Sequence, residues 1–524
     1  YIALITQSMH GVFIKAEKPA RISVELYSNL EKSYNLLSSI VYKKGDYNTV
    51  VNISDFLISK NRKNSEAWYI KGVALSKLGK LLEAIDTWST GLSINPQDEI
   101  MRFIMELEIR NCLSLEDSRR DMWAKYHLDN ARQYISRYDS SGAVYEYQRA
   151  LLLSPLNYEA RINYAKLLEL NGFHELYLNQ LLFLQENCFE KLSTKQQRDL
   201  QDSIDAYESL LVNTLDKKWN VEPFYLDKTR WNIALFYEQD SSSFIHVDSN
   251  NVLAKSATDI FSGIAITSVK TQINPIKSYG EAFNNARVGG FDYFIILSLS
   301  EAENDMTLKS TMYSARTGLE VSKDVFYATG NNRFSSVLRR FRSSVLEKLT
   351  VRGKILKRNG KSVLIDIGKS ENIVKDSKFK IIKNGRIKTS DFGYGLSFDE
   401  DDVLGVISVT QCGEEISEGI IEKKGFYDRI NEGDEIVLES MPEAASDSLG
   451  NSSVIDNVPA ADAEGNVVVK NDTTEILSDI RKTVERPSIL ELLRDIYKYK
   501  ENISFSFIWR IQRILAISLN KGSL

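Results

Sequence analysis

Cysteine and histidine are scarce in this 524-residue chain, and their scarcity removes whole classes of chemistry. Cys112, Cys188 and Cys412 lie far apart with no CxxC spacing, which argues against a zinc site or a disulfide framework and leaves the redox compartment undecided. His10, His127, His174 and His246 fall in separate stretches, and lone histidines of this kind read as packing or surface residues rather than ligands. No GxxxxGK[ST] phosphate loop, GxSxG elbow or HExxH pair occurs. The densest acidic run, Asp399-Glu400-Asp401-Asp402, lacks the alternating oxygen ligands and later Glu of a calcium loop and reads as a solvated loop. No catalytic residue, metal or cofactor is therefore expected. No run of about 18 uncharged apolar residues is present that could cross a membrane. A net charge of -5 argues against nucleic acid as the main partner. What remains is ordinary for a globular chain, 43% apolar and 26% charged, with length for about three domains.

Against that background one stretch is rich in pattern. From Asn64 to Pro96, Leu75, Leu81, Trp88 and Leu92 recur at helical spacing, Gly72 and Ala84 let two helices approach, Gly79 supplies a turn and Pro96 stops the second helix. Tyr34, Leu37, Val41, Gly45, Tyr47 and Leu57 fill equivalent slots upstream, with Gly45 34 residues before Gly79. Tyr134, Ala143, Tyr147, Ala150 and Pro155 define a further unit, and Tyr164, Ala165, Leu168 and Gly172 begin another. An ordinary helical bundle is the alternative, but the repetition resembles the tetratricopeptide repeat over residues 27–215. The 59 residues from Pro96 to Pro155 exceed one period, so an irregular helix or decayed repeat is expected between Asp98 and Trp123, with the array bent or interrupted there.

That resemblance implies a concave groove formed by the first helices. Its slots hold Asn35, Tyr42 and Lys43, then Tyr69 and Lys77, then Lys125 and Arg132, then Lys166, with Glu66, Glu159 and Glu169 as acidic interruptions. These residues are the candidate partner-binding surface, against the simpler reading of solvated lysines, and their spacing suits an extended acidic segment or a helix. The paired Lys and Asn clamp that some relatives use for chain-terminal carboxylates is not reproduced.

The period changes after about Asp216. WNIALFYEQ reads as a strand, followed by helices at Ala254–Thr271 and Ser278–Val288, three strands in FDYFIILSLSEA, MTLKSTMYSA and LEVSKDVFYA, and a helix lined by Phe334, Val337, Leu338, Phe341, Val345 and Leu349. The order β-α-α-β-β-β-α is expected to make a compact α/β sandwich over 217–349. With its DIFSG helix and DYFIILSLSEA strand-turn, it resembles the α/β domain at the front of the Tol translocation propeller protein and the middle domain of the flagellar T-ring assembly protein. From Val351, VRGKILKRNGKSVLIDIG, KFKIIKNG, DVLGVISVTQCG, EEISEGIIEKK and EIVLES are spaced as a small β-barrel over 350–439. This resembles the C-terminal barrel of the same T-ring protein, although Asn372 to Phe379 lacks that family's glycine-rich turn.

Residues 440–474 lose aromatic side chains and gather small and acidic ones, which predicts a disordered linker. Residues 475–524 are expected to form helices, and the apolar SFSFIWRIQRILAISL tail has three open readings: docked on its own protein, on a partner, or on a membrane surface. Residues 1–26 read as a strand or helix lead-in. Tyr1 is not a translation start, so an upstream piece is expected, with a lost signal or anchor as one form of it.

The expected whole is an all-α tetratricopeptide solenoid, an α/β sandwich and a small β-barrel. This mix is similar to the repeat-containing collar proteins of spirochaete flagellar motors. The resemblance implies a non-enzymatic scaffold in the periplasm, at the inner-membrane flagellar motor, contacting other motor or envelope proteins. The alternative is an envelope adaptor that regulates a cell-wall enzyme or a secretion channel.

Overall fold

The computed structural model describes residues 13–26, 30–223, 226–238, 245–272, 274–302, 304–391 and 393–442. All of the described residues fall within the first of the chain's two units, Tyr1–Asn457. The linker beyond residue 442, the C-terminal helices and the first twelve lead-in residues lie outside the described residues.

The helical half begins with α1 (Phe13–Leu26), which places a helix in the lead-in, and continues with α2 (Glu31–Lys43), α3 (Tyr47–Lys60), α4 (Ser65–Lys77) and α5 (Leu81–Ile94). Then come α6 (Glu99–Cys112), α7 (Ser118–Ser136), α8 (Ser140–Leu153), α9 (Tyr158–Leu170), α10 (His174–Cys188), α11 (Thr194–Leu210) and the short α12 (Leu215–Trp219). It is a tetratricopeptide-type array of helix hairpins. Asp and Asn punctuate it: Asp46, Asn64, Asp98, Asp139 and Asn157 each accept a backbone N–H of the helix they precede. Trp88 is fully buried and donates its indole N–H to the Tyr69 carbonyl at 3.1 Å, and a Cβ at Gly72 would overlap the indole. The turns at Gly45, Gly79 and Gly172 share a left-handed backbone, φ 85°, 78° and 80°, whereas the α7–α8 turn puts Tyr138 at φ 60°.

The irregular stretch after Pro96 is α6. It packs mainly on α5 and only lightly on α7 and α8, so the alternation of hairpins breaks there. Ile100, Met101, Phe103, Met105 and Ile109 are buried around it, and Phe103 meets Phe334 edge-on at 5.0 Å.

The next part is a five-stranded sheet of β1 (Trp231–Tyr237), β2 (Thr267–Thr271), β3 (Tyr293–Glu301), β4 (Asp305–Ser314) and β5 (Glu320–Thr329), in the order β2-β1-β3-β4-β5. β1 runs parallel to β2 and β3, while β3, β4 and β5 are antiparallel. Helices α13 (Ser249–Phe261), α14 (Tyr279–Val288) and α15 (Arg333–Lys348) accompany it. The expected order is corrected by one strand: the helix predicted over Ala254–Thr271 ends at Phe261, and Thr267–Thr271 form β2. Ser262 and Gly263 stop the helix, and the β-branched Thr267, Val269 and Thr271 favour a pleated strand. Val252, Leu253 and Phe261 of α13 and Phe334, Leu338 and Phe341 of α15 share one core with Ile233, Leu235, Ile295 and Leu297, and with the array. On the opposite face, Ala282 and Ala286 of α14 meet Ala234, Phe236 and Phe294.

The last part closes on itself. β6 (Arg352–Asn359), β7 (Ser362–Ile365), β8 (Lys378–Ile382), β11 (Val403–Cys412), β12 (Ser417–Lys423) and β13 (Glu435–Ser440) form a six-stranded barrel in the order β11-β12-β7-β6-β13-β8, beside a ribbon of β9 (Lys388–Thr389) and β10 (Leu396–Ser397). Ile355, Val363, Ile365, Phe379, Ile381, Ile407 and Val409 fill its interior. The connection from the array reaches this barrel first: Leu215, Trp219 and Val221 pack with Leu364 and Ile416 before the chain turns into β1.

Candidate functional site, the inner face of the array

The groove slots of the first two repeats are occupied by the chain itself. Tyr42 of α2 donates its hydroxyl to Asp248 Oδ2 at 2.6 Å, Lys43 lies 3.8 Å from the same carboxylate, and Tyr69 of α4 donates to the Val247 carbonyl at 2.7 Å. Tyr42 and Tyr69 are buried and Lys43 half-buried. Burial, with Asp248 beside it, raises the Tyr42 phenol far above its ordinary range, so it remains a donor. Tyr42, Lys43 and Tyr69, expected on the partner-binding surface, thus face residues 246–248 of the same chain, which lead into α13. Asn35 is half-buried, and its side-chain oxygen accepts from Asn64 Nδ2 at 3.2 Å. Of the remaining candidates, Lys77, Lys125, Arg132 and Lys166 are exposed, but Arg132 is committed to Asp129 and Glu159.

At the centre of the contact is His246. Its ring stands edge-on to Tyr69 at 4.6 Å, with Nδ1 2.8 Å from Glu301 of β3 and Nε2 3.1 Å from Asp98, the residue that caps α6. Burial opposes its charge, yet Asp98 and Glu301 outweigh that and hold its pKa well above that of an ordinary imidazole. Burial likewise pushes Asp98 up, but the His246 charge and hydrogen bonds keep its carboxyl below the usual range. The three groups form a charged bridge between array and sheet. Next to it, Glu99 accepts from the backbone N–H groups of Phe334 and Ser335 at the start of α15.

A second brace lies deeper in the array. His127 Nδ1 is 2.6 Å from Glu146 and Nε2 2.8 Å from Glu106, which also accepts from Arg149 at 2.5 Å. Burial would raise the Glu106 carboxyl, but Arg149 and His127 hold it below the ordinary range. Among the described residues no three His, Cys, Asp or Glu are grouped so as to hold a metal ion, and no helix is long and apolar enough to cross a membrane.

The barrel is joined by similar means. Glu414 accepts the backbone N–H groups of Glu175 at 2.9 Å and Leu176 at 3.0 Å at the start of α10. Lys228 reaches Glu415 at 2.7 Å and Glu371 at 3.3 Å, and Arg230 pairs with Asp366, both buried. Asp98, Glu99, His246, Glu301 and Glu414 were not singled out by sequence pattern. Asp98 carried a legible signal as an N-cap two residues after Pro96, whereas nothing local marked the others.

With this geometry in view, the chain can be set beside known proteins. A family model described as TPASS_0648_2nd, family, second domain, matches residues 230–347, the span from Arg230 through β1 to α15. No curated protein matches the chain. Among solved structures it is similar to MamA from Desulfovibrio magneticus RS-1, at 14% identity over 35% of this chain and 90% of that one, with a TM-score of 0.20. It is also similar to TTC0263, a thermophilic TPR protein in Thermus thermophilus, at 16% identity over 40% and 96%, TM-score 0.18. A third is YrrB, described as a TPR protein with an unusual peptide-binding site, at 16% identity over 36% and 89%, TM-score 0.21. At these values no ligand or partner passes from them to this chain.

Proposed function

We propose that the chain is a non-enzymatic scaffold whose repeat array, sheet and barrel act as one rigid spacer between protein partners. The observation that carries this reading is the occupied groove: Tyr42, Lys43 and Tyr69 spend their donors on residues 247–248 of the same chain, fixing the array rather than leaving it to swing. A rigid body of this kind suits an assembly subunit, because partners bound at distant faces keep a set separation. The exposed Lys77, Lys125 and Lys166 are the part of the array offered to an acidic partner, where charge would mainly speed and select association.

The setting we propose is the periplasmic flagellar motor, in its collar or ring. The combination of tetratricopeptide-type array, sheet unit and barrel, similar to that of collar proteins, supports it. Electron cryotomography of motors in cells lacking the gene tests this reading. Loss of a discrete collar density, restored by the intact gene, is expected; unchanged motors and normal motility would overturn the motor assignment. A hydrolase and nucleotide-turnover screen on purified protein is expected to give no saturable activity.

A further inference from the structure

Phe426 and Tyr427, neighbours in the loop that joins β12 to β13, are 85% and 76% exposed, and their rings meet edge to face at 5.2 Å. The loop that carries them is braced. Gly425 turns the chain at φ 90°, Lys423 donates to the Phe426 carbonyl at 2.9 Å, and Arg358 of β6 holds Asp428 through both terminal nitrogens, at 3.0 and 2.5 Å. Arg358 also donates to the carbonyl of Ile430, whose buried side chain anchors the end of the loop in the barrel core. The two rings are thus held outward by a fixed tip, and little ordering is left to be lost when something binds them.

Rings left in water contribute almost nothing to folding, and an apolar patch rimmed by charge marks a contact surface. The rim here is basic. Lys361, in the turn between β6 and β7, lies alongside, since its carbonyl accepts the Ile421 N–H at 2.8 Å, and Lys361, Lys423 and Arg429 are all exposed. Residues 358–361 and 422–432 together hold Arg358, Lys361, Lys423, Lys424 and Arg429 against Glu422, Asp428 and Glu432, a positive balance on a chain of net charge -5. Area then separates the possible partners. Two aromatic side chains bury at most about 300–500 Å², well short of the roughly 800 Å² that each side of a standard protein interface contributes. A bilayer needs no such area: aromatic rings settle at headgroup depth, and Lys and Arg beside them are drawn to anionic lipid.

We propose that the β12–β13 tip docks on an anionic lipid surface, with Phe426 and Tyr427 entering the headgroup layer and Lys361, Lys423 and Arg429 lying over lipid phosphates. A single tip of this size binds weakly, so it serves to orient the barrel at a membrane and adds to contacts made elsewhere in an assembly. The inference is independent of the scaffold reading and of the 504–519 tail, which lies outside the described residues.

The test is co-sedimentation of the full chain with vesicles of phosphatidylglycerol and phosphatidylcholine in equal parts, set against phosphatidylcholine alone. Binding to the anionic vesicles is expected, and it should weaken as salt rises from about 0.1 to about 1 M and the screening length falls from roughly 10 to 3 Å. Phe426→Ser combined with Tyr427→Ser should weaken it about tenfold or more while leaving the unfolding temperature unchanged, because both rings are exposed. A second variant reads the tip directly. In Phe426→Trp, the fluorescence gained over the native chain should shift to the blue on adding anionic vesicles and be quenched by brominated lipid. Absence of vesicle binding, equal binding to phosphatidylcholine alone, binding that the double variant keeps, as a tail-driven attachment would give, or an unshifted Phe426→Trp signal would each overturn the proposal.

Discussion

The carboxylate of Glu99 caps a helix that lies 235 residues downstream, accepting the backbone N–H of Phe334 at 2.7 Å. The helix needs it. Asn332, in the N-cap position of α15, makes no side-chain cap, and Phe173 before α10 makes none either, a gap that Glu414 of the barrel closes. The first N–H groups of a helix have no partner within it, and at these two helix starts, left bare by their own sequence, a carboxylate from another part of the fold supplies the acceptor. In both cases a carboxylate also complements the positive end of the helix dipole.

Glu99→Ala is expected to destabilise the chain by about 1–2 kcal/mol, the scale of a lost cap. Amide exchange should quicken at Phe334 and Ser335. Glu99→Gln keeps an acceptor and should cost less. An unchanged urea midpoint and unchanged exchange would show that α15 does not depend on this carboxylate.

The His246 bridge makes a pH prediction whose sign follows from its raised pKa. A histidine with a folded-state value above its unfolded one stabilises fully below about pH 6.5 and loses that contribution as pH climbs through the folded value. The stability gap between the native chain and His246→Gln should therefore be widest near pH 6 and shrink toward pH 9. Urea unfolding of both proteins across that range measures it, and a gap that grows with pH contradicts a charged bridge.

Trp88→Ala should cost on the order of 3–5 kcal/mol, since it empties a fully buried site between two helices. Its indole N–H also leaves the Tyr69 carbonyl, in the helix whose hydroxyl at the same residue holds Val247. Thermal unfolding of the full chain with an unshifted midpoint would refute the packing role.

Tyr138→Gly should stabilise. Tyr138 is 95% exposed and held at φ 60°, in the turn slot that glycine fills at Gly45, Gly79 and Gly172. A non-glycine residue in that conformation costs roughly 1 kcal/mol, and almost no packing is lost on removing this ring. A higher unfolding temperature is the expected result, and a drop would mean that the ring has a role in the turn.

The repeats were legible in the sequence because one physical problem, two helices in close contact, is solved the same way several times, as Gly72 against Trp88 shows. The barrel was legible from its alternating strands. β2 was not, because Thr267–Thr271 is only five residues long and follows a helix of the same polarity. The fate of the groove was hidden for a different reason. Helical periodicity tells which residues of α2 and α4 face inward, but not that Asp248 and Val247, some 200 positions later, come to lie on Tyr42 and Tyr69. Phe173, a poor capping residue, stands at the start of α10, where Glu414 supplies the acceptor from the barrel.

The Glu414 cap has a consequence for how the protein is born. Glu175 is added to the chain 239 residues before Glu414, a delay of roughly 12 to 48 s at ordinary bacterial and eukaryotic elongation rates. Through that interval the early hairpins can settle on local contacts, while the α10 start has bare N–H groups. A nascent chain stalled before the barrel would thus present firm early repeats and a frayed final hairpin, marking unfinished molecules at one defined place that a protease or chaperone could find.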